Sequence, residues 1–294
     1  MAHQMSLKLL SETRCFGGKV MKFEHTSQYL GGLPAKFSVF LPPKSLDGTN
    51  VPTLMYLSGL TCNEDNFIQK GYAQKSAALN NIALLAPDTS PRGSNIDGED
   101  DSYDFGSGAG FYVNATIEPW NKYYNMYDYV NCELLTVFRN SGLNVDLNRL
   151  SVFGHSMGGH GALISYIKNP KLYKSVSAFS PICNPINCKW GQKCFTGYLG
   201  DNIDEWKKYD ATELINSVDD VSKLNGNFNV LIDQGSDDEF LCIGDDKHNQ
   251  LLCDNFKNAC DKRGLKCQLR YQSGYNHSYY FISTFMDDHI QYHA

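Results

Sequence analysis

Apolar and polar positions along the chain predict a run of strands that gives way to strands separated by helices. Residues 20–29 and 35–41 read as two strands joined across Gly31-Gly32, and Pro42-Pro43 stops the pair. Short apolar runs follow at 53–57, 82–86, 150–153, 175–179, 229–233 and 266–271; runs of this length are buried strands. Helical patterns occupy 72–80, 126–140, 160–168, 249–263 and 279–291. This alternation predicts an α/β fold, a mostly parallel eight-stranded sheet with helices on both faces. Residues 1–294 contain no repeat, linker or composition break, so one domain is expected. Right-handed crossovers then bring the carboxyl ends of the strands to one rim, where ligands bind.

Two regions depart from the pattern. Residues 88–120 are polar and glycine-rich but carry Tyr103, Phe105, Phe111, Tyr112 and Trp120, which predicts an ordered loop over a site. Residues 180–199 read as a second irregular stretch. Composition narrows the function. Hydrophobic residues make up 42% and charged residues 20%, net charge is −6 and no Lys/Arg run occurs, so nucleic acid is excluded as a partner. No apolar run approaches the roughly 18 residues of a membrane span, and the first residues lack the apolar segment of a secretory signal. The 10 cysteines therefore read as mostly reduced thiols of a cytoplasmic protein.

The candidate chemistry begins at Gly154-His155-Ser156-Met157-Gly158. A G-x-S-x-G match occurs by chance in roughly one chain of this length in ten, so the pentapeptide alone is weak. Its context strengthens it, because a strand precedes it and a helix follows, as a nucleophile elbow requires. A serine hydroxyl needs a base near neutral pH. The later strands end in Gln234-Gly235-Ser236-Asp237-Asp238 and Gly274-Tyr275-Asn276-His277, which puts an acid and a histidine on the rim that carries Ser156. Asp238 is the expected acid, with Asp237 as runner-up, and His277 the expected base. His155 and His160 read as packing residues around the elbow; His248 and His289 lack a place on the rim. The oxyanion donors should be the N–H of Met157 and that of Leu60, with Gly59 as the alternative to Leu60. Cys183, Cys188 and Cys194 lack a zinc spacing, and the clusters 99–101 and 245–246 lack a calcium-loop spacing, so no metal site is expected.

Leu57–Cys62, Ala86–Gly93, Gly108–Tyr112, Phe153–Gly161 and Gly274–Phe281 together resemble the S-formylglutathione hydrolase family, also called esterase D, from about Cys15 to Ala294. The resemblance implies an α/β-hydrolase that cleaves S-formylglutathione to glutathione and formate in cytosolic formaldehyde detoxification. It also implies activity on small carboxylic esters, no metal or organic cofactor, and a homodimer. Ser156, Asp238 and His277 match the family's triad. Cys62 matches a cysteine near the site whose alkylation inhibits such enzymes, and Trp190 a tryptophan beside the acyl group. Arg92 and Lys193 are candidates to bind the charged ends of glutathione. Residues 241–250 are longer than the family pattern, which leaves the substrate open to an alternative: a general carboxylesterase or acyltransferase on the same fold.

Overall fold

The computed structural model describes residues 7–224, 226–241 and 249–294. In chain order its elements are β1 (Lys8–Cys15), β2 (Gly18–Thr26), β3 (Pro34–Leu41), α1 (Pro43–Leu46), β4 (Val51–Leu57), α2 (Glu64–Lys70), α3 (Gln74–Leu79), β5 (Ala83–Pro87), α4 (Met126–Asp128), α5 (Leu134–Arg139), β6 (Val145–His155), α6 (Met157–Lys168), β7 (Tyr173–Phe179), α7 (Lys189–Leu199), α8 (Ile203–Lys207), α9 (Ala211–Ser217), β8 (Asn229–Gly235), α10 (Cys253–Lys262), β9 (Lys266–Gln272) and α11 (Tyr279–His293). A π-turn, Tyr129–Glu133, joins α4 to α5, so the helix expected over 126–140 is one interrupted rod.

The strands form one sheet in the order β1-β2-β3-β5-β4-β6-β7-β8-β9. The pairs β1–β2, β2–β3 and β3–β5 are antiparallel, and the rest are parallel. The sheet therefore has nine strands among the described residues, not the eight expected. The additional strand, β1, lies at an edge and is solvent-exposed along nearly all its length, so no buried face imposed a readable alternation on it. Its pairing is set instead by a tight turn at Phe16-Gly17, where both residues have positive φ. The stretch expected to be irregular over 180–199 also contains α7, which buries Trp190, Cys194, Phe195 and Tyr198 at helical spacing.

Both faces of the central strands are covered. In β4, Leu54 and Tyr56 point into one apolar cluster with Phe67 of α2, Ala77 of α3 and Phe281, Met286 and Ile290 of α11. Met55 and Leu57 point into the opposite cluster with Ala162 and Leu163 of α6. Each fully buried side chain of this size contributes about 1.5–3 kcal/mol relative to exposure. Packing on two sides is why the parallel strands read as unbroken apolar runs.

Polar groups also fasten α11 to the sheet. Arg270 grips the buried Asp233 carboxylate through two contacts of 2.6 Å, and His289 lies 3.3 Å from the same group. His289 also contacts Ser177 at 2.8 Å, and the His293 ring lies between Ser175 (2.7 Å) and Ser177 (2.8 Å). Burial lowers the basicity of both histidines. Among the described residues no helix is long and apolar enough to cross a membrane.

His160 of α6 is fully buried with Nε2 3.0 Å from the Phe111 carbonyl, and burial pushes its imidazole from 6.5 down to about 4. An unfolded imidazole takes up a proton near 6.5, whereas the folded one does so only near 4. Stability present above pH 6.5 is therefore lost as the pH falls from 6.5 towards 4. Urea unfolding across this range should show that loss, with a shallower slope for His160→Gln; an equal slope in the variant would exclude His160 as a source.

Candidate active site

Ser156 sits between β6 and α6 with φ 57° and ψ −120°, a strained conformation for a residue with a side chain. Close packing explains how it is held. A Cβ on Gly158 would lie 1.9 Å from the Leu57 carbonyl oxygen, and one on Gly154 would lie 2.3 Å from that of Gly158. These contacts are open only to glycine, and they seat the first turn of α6 directly on the end of β4. The Ser156 N–H donates to the Phe179 carbonyl at 3.0 Å, and its own carbonyl accepts from His160 and Ile182. The turn is thus tied to β7 and to α6.

The acid and the histidine arrive on the neighbouring strands β8 and β9. His277 Nδ1 lies 2.6 Å from Asp238 Oδ2. Asp238 Oδ1 accepts from the Phe240 N–H at 2.9 Å, and Gln234 Nε2 donates to Oδ2 at 3.2 Å. Burial alone would raise the Asp238 carboxyl; the His277 contact and charge, with the Phe240 N–H, hold it below the ordinary carboxylate range. Asp237 is exposed and accepts from Ser236 Oγ, away from His277. The structure therefore joins His277 to Asp238 and leaves Asp237 in the turn.

The loop after β4 passes close to the serine: a Cβ on Gly59 would lie 3.2 Å from Ser156 Cβ. Leu60 lines the same cavity as Ser156, and Met157 opens α6, where the N–H has no partner within the helix. The stretch 88–125 supports this loop. The Thr61 N–H donates to the Gly108 carbonyl at 2.9 Å, and Tyr112 Oη donates to the Ser58 carbonyl at 2.9 Å. The rings of Phe105, Trp120, Tyr124 and Tyr198 pack together at its base.

Ser156 and His277 line one cavity of about 400 Å³. Cavities of about 520 and 690 Å³ elsewhere have mixed polar and apolar walls and lack Ser156, so size does not mark the site. Trp190 and Cys62 both line the Ser156 cavity. The Trp190 indole N–H donates to Tyr103 Oη at 3.2 Å, and its ring lies 4.5 Å from Phe240. Phe240 stands edge-on to His277 with ring centroids 4.9 Å apart, and the His155 ring lies 4.3 Å from the His277 ring. Burial, then the adjacent His277, keeps the His155 imidazole well below its ordinary basicity. His155 thus packs at the elbow as expected, and it also walls the cavity.

Arg92 and Lys193, the candidates for the charged ends of glutathione, do not line this cavity. Arg92 grips Asp88 and donates to the Cys62 carbonyl at 2.9 Å, while Lys193 bonds Asp104 and Ser102. Cys183, Cys188 and Cys194 are buried free thiols, and among the described residues no cluster of three His, Cys, Asp or Glu forms a metal site. Of the segment 241–250, residues 242–248, His248 among them, lie outside the described residues.

Comparison with known proteins adds a second line of evidence. The family model "Esterase: Putative esterase" matches residues 27–292. An S-formylglutathione hydrolase of Rattus norvegicus is 53% identical over 290 residues, covering 99% of this chain and 98% of its own length. One of Arabidopsis thaliana is 50% identical over 288 residues, covering 98% and 97%. A solved structure of an S-formylglutathione hydrolase from Agrobacterium tumefaciens superposes with a TM-score of 0.90 at 39% identity, covering 97% of this chain and 98% of its own.

The elbow packing is directly testable. Gly158→Ala should destabilise the protein by roughly 3 kcal/mol or more, because the added methyl meets backbone that cannot yield. Denaturant unfolding measures this, and a loss below about 1 kcal/mol would show that the elbow relaxes.

Proposed function

The chain belongs to the S-formylglutathione hydrolase family, and we propose that it cleaves S-formylglutathione to glutathione and formate through Ser156, His277 and Asp238. The observation that carries the assignment of residues is the 2.6 Å contact between His277 Nδ1 and Asp238 Oδ2, on a ring that shares a cavity with Ser156. Oriented in this way, the ring presents Nε2 as the remaining base.

The chemistry is acyl transfer in two steps. Ser156 Oγ attacks the formyl carbon as His277 Nε2 takes its proton, and Asp238 stabilises the imidazolium. The N–H groups of Met157 and Leu60 hold the oxyanion. Collapse breaks the carbon–sulfur bond, and the departing glutathione thiolate receives the proton from His277. A thiol of pKa near 8.5 leaves readily, so acid assistance matters less than for an amide. Water, deprotonated by His277, then attacks the formyl ester, releases formate and returns the proton to Ser156.

The formyl group is small, and Trp190, fixed by Tyr103 and Phe240, occupies space that a longer acyl chain would need. Small carboxylic esters fit the same cavity and are side substrates. We read residues 1–294 as a single domain and the enzyme as a cytoplasmic homodimer, by family likeness.

Ser156→Ala should retain the fold and lose at least about 10⁴-fold in kcat, with no labelling by a fluorophosphonate that marks the wild type. Full turnover by the pure, folded variant would remove serine from the mechanism. In a substrate panel, S-formylglutathione should exceed short aryl esters in kcat/KM; the reverse order would favour a general carboxylesterase.

Cys62 yields a separate expectation. Burial raises its thiol above the ordinary value, against the opposing influence of Tyr279, Lys70, Gly59 and Arg92. N-ethylmaleimide should therefore inactivate the enzyme more slowly at pH 7 than it consumes free glutathione, and faster as the pH rises past 9. Cys62→Ser should abolish the effect; equal sensitivity in that variant would assign it to another cysteine.

A further inference from the structure

Gln234, near the end of β8, is fully buried and stands four residues before the acid. Its amide nitrogen donates to Asp238 Oδ2 at 3.2 Å and to the Gly235 carbonyl at 3.0 Å. Its amide oxygen accepts from Cys253 Sγ at 3.3 Å. These partners fix which way the amide points. Turned over, its oxygen would face a carboxylate and a carbonyl, and the thiol would lose the nearer of its two acceptors. Cys253 opens α10, is itself buried, and lies 3.5 Å from the Pro181 carbonyl. Pro181 packs beneath the elbow, where a Cβ on Gly159 would come within 2.7 Å of it. A buried chain of contacts thus runs from the acid, through Gln234 and Cys253, to the segment that supports Ser156.

A methionine or leucine would fill this volume without desolvating an amide. The amide instead directs a hydrogen to the carboxylate oxygen that His277 contacts, while the Phe240 N–H holds the other oxygen. We propose that Gln234 is a positioning residue of the triad, fixing the plane of the Asp238 carboxylate, and that Cys253 fixes Gln234.

The proposal rests on the triad reading above, and its consequences are kinetic. Without the amide, the carboxylate turns more freely, so the imidazole is less often aligned with Ser156. The carboxylate charge is also less spread, so it holds the imidazolium more tightly. Catalysis slows, and the acid limb of the pH–rate profile moves to higher pH.

Gln234→Met keeps the length of the side chain and removes both amide functions. It should lower kcat about tenfold, with KM within about twofold and the acid limb of kcat/KM moved upward. Cys253→Ala should lower kcat in the same direction by less, and Cys253→Ser, whose hydroxyl reaches the same oxygen, should retain more of it. A folded Gln234→Met enzyme with wild-type kcat and an unmoved acid limb overturns the proposal. If that variant does not fold, the two Cys253 variants decide: equal kcat and equal profiles overturn it. The triad reading fails on a different result, namely full kcat in Asp238→Asn, whatever Gln234→Met does.

Discussion

The site depends on how closely the first turn of α6 rests on the end of β4. Backbone meets backbone there with no room for a methyl group, as the contact of Gly158 with the Leu57 carbonyl shows. That closeness forces Ser156 into a backbone conformation it would otherwise avoid and lifts its hydroxyl off the sheet. It also brings the loop after β4 beside the serine, so that one constraint places the proposed nucleophile and the proposed oxyanion donors together. The surrounding apolar faces hold the arrangement in place from both sides of the sheet.

The electrostatic design is economical. Burial removes solvent from Asp238 and His155 alike, with opposite outcomes. Asp238 is surrounded by donors and stays ionised, whereas His155 is left as a neutral ring against His277. Phe240 also packs against the His277 ring. The His277 imidazole is therefore packed against two rings and held by the Asp238 carboxylate. Such packing limits the ring's freedom without adding a second cation beside it.

The parallel core was legible because strands buried on both faces leave unbroken apolar runs. The edge strand β1 was not, since its backbone pairing leaves no pattern in exposed side chains. The buried residues of α7 lay at readable spacing, but the prolines and cysteines before it obscured the start. Ser156, Asp238 and His277 could be proposed from chain order and strand ends. The contacts of Phe240 with Trp190, of Tyr103 with Trp190 and of Gln234 with Cys253 could not, because those partners come from other parts of the chain. Phe240 lies two residues past the acid, so its N–H was the one findable signal. Arg92 is already paired with Asp88, only four residues away. A charged side chain beside its complement in a loop is often already engaged.

The histidine and its supporting helix come from the last strand–helix unit of the fold, whereas the serine comes from its middle. A growing polypeptide therefore contains Ser156 well before the proposed base, His277, has been made. On the proposed mechanism, the Ser156 hydroxyl has no partner to take its proton until that last strand–helix unit is in place.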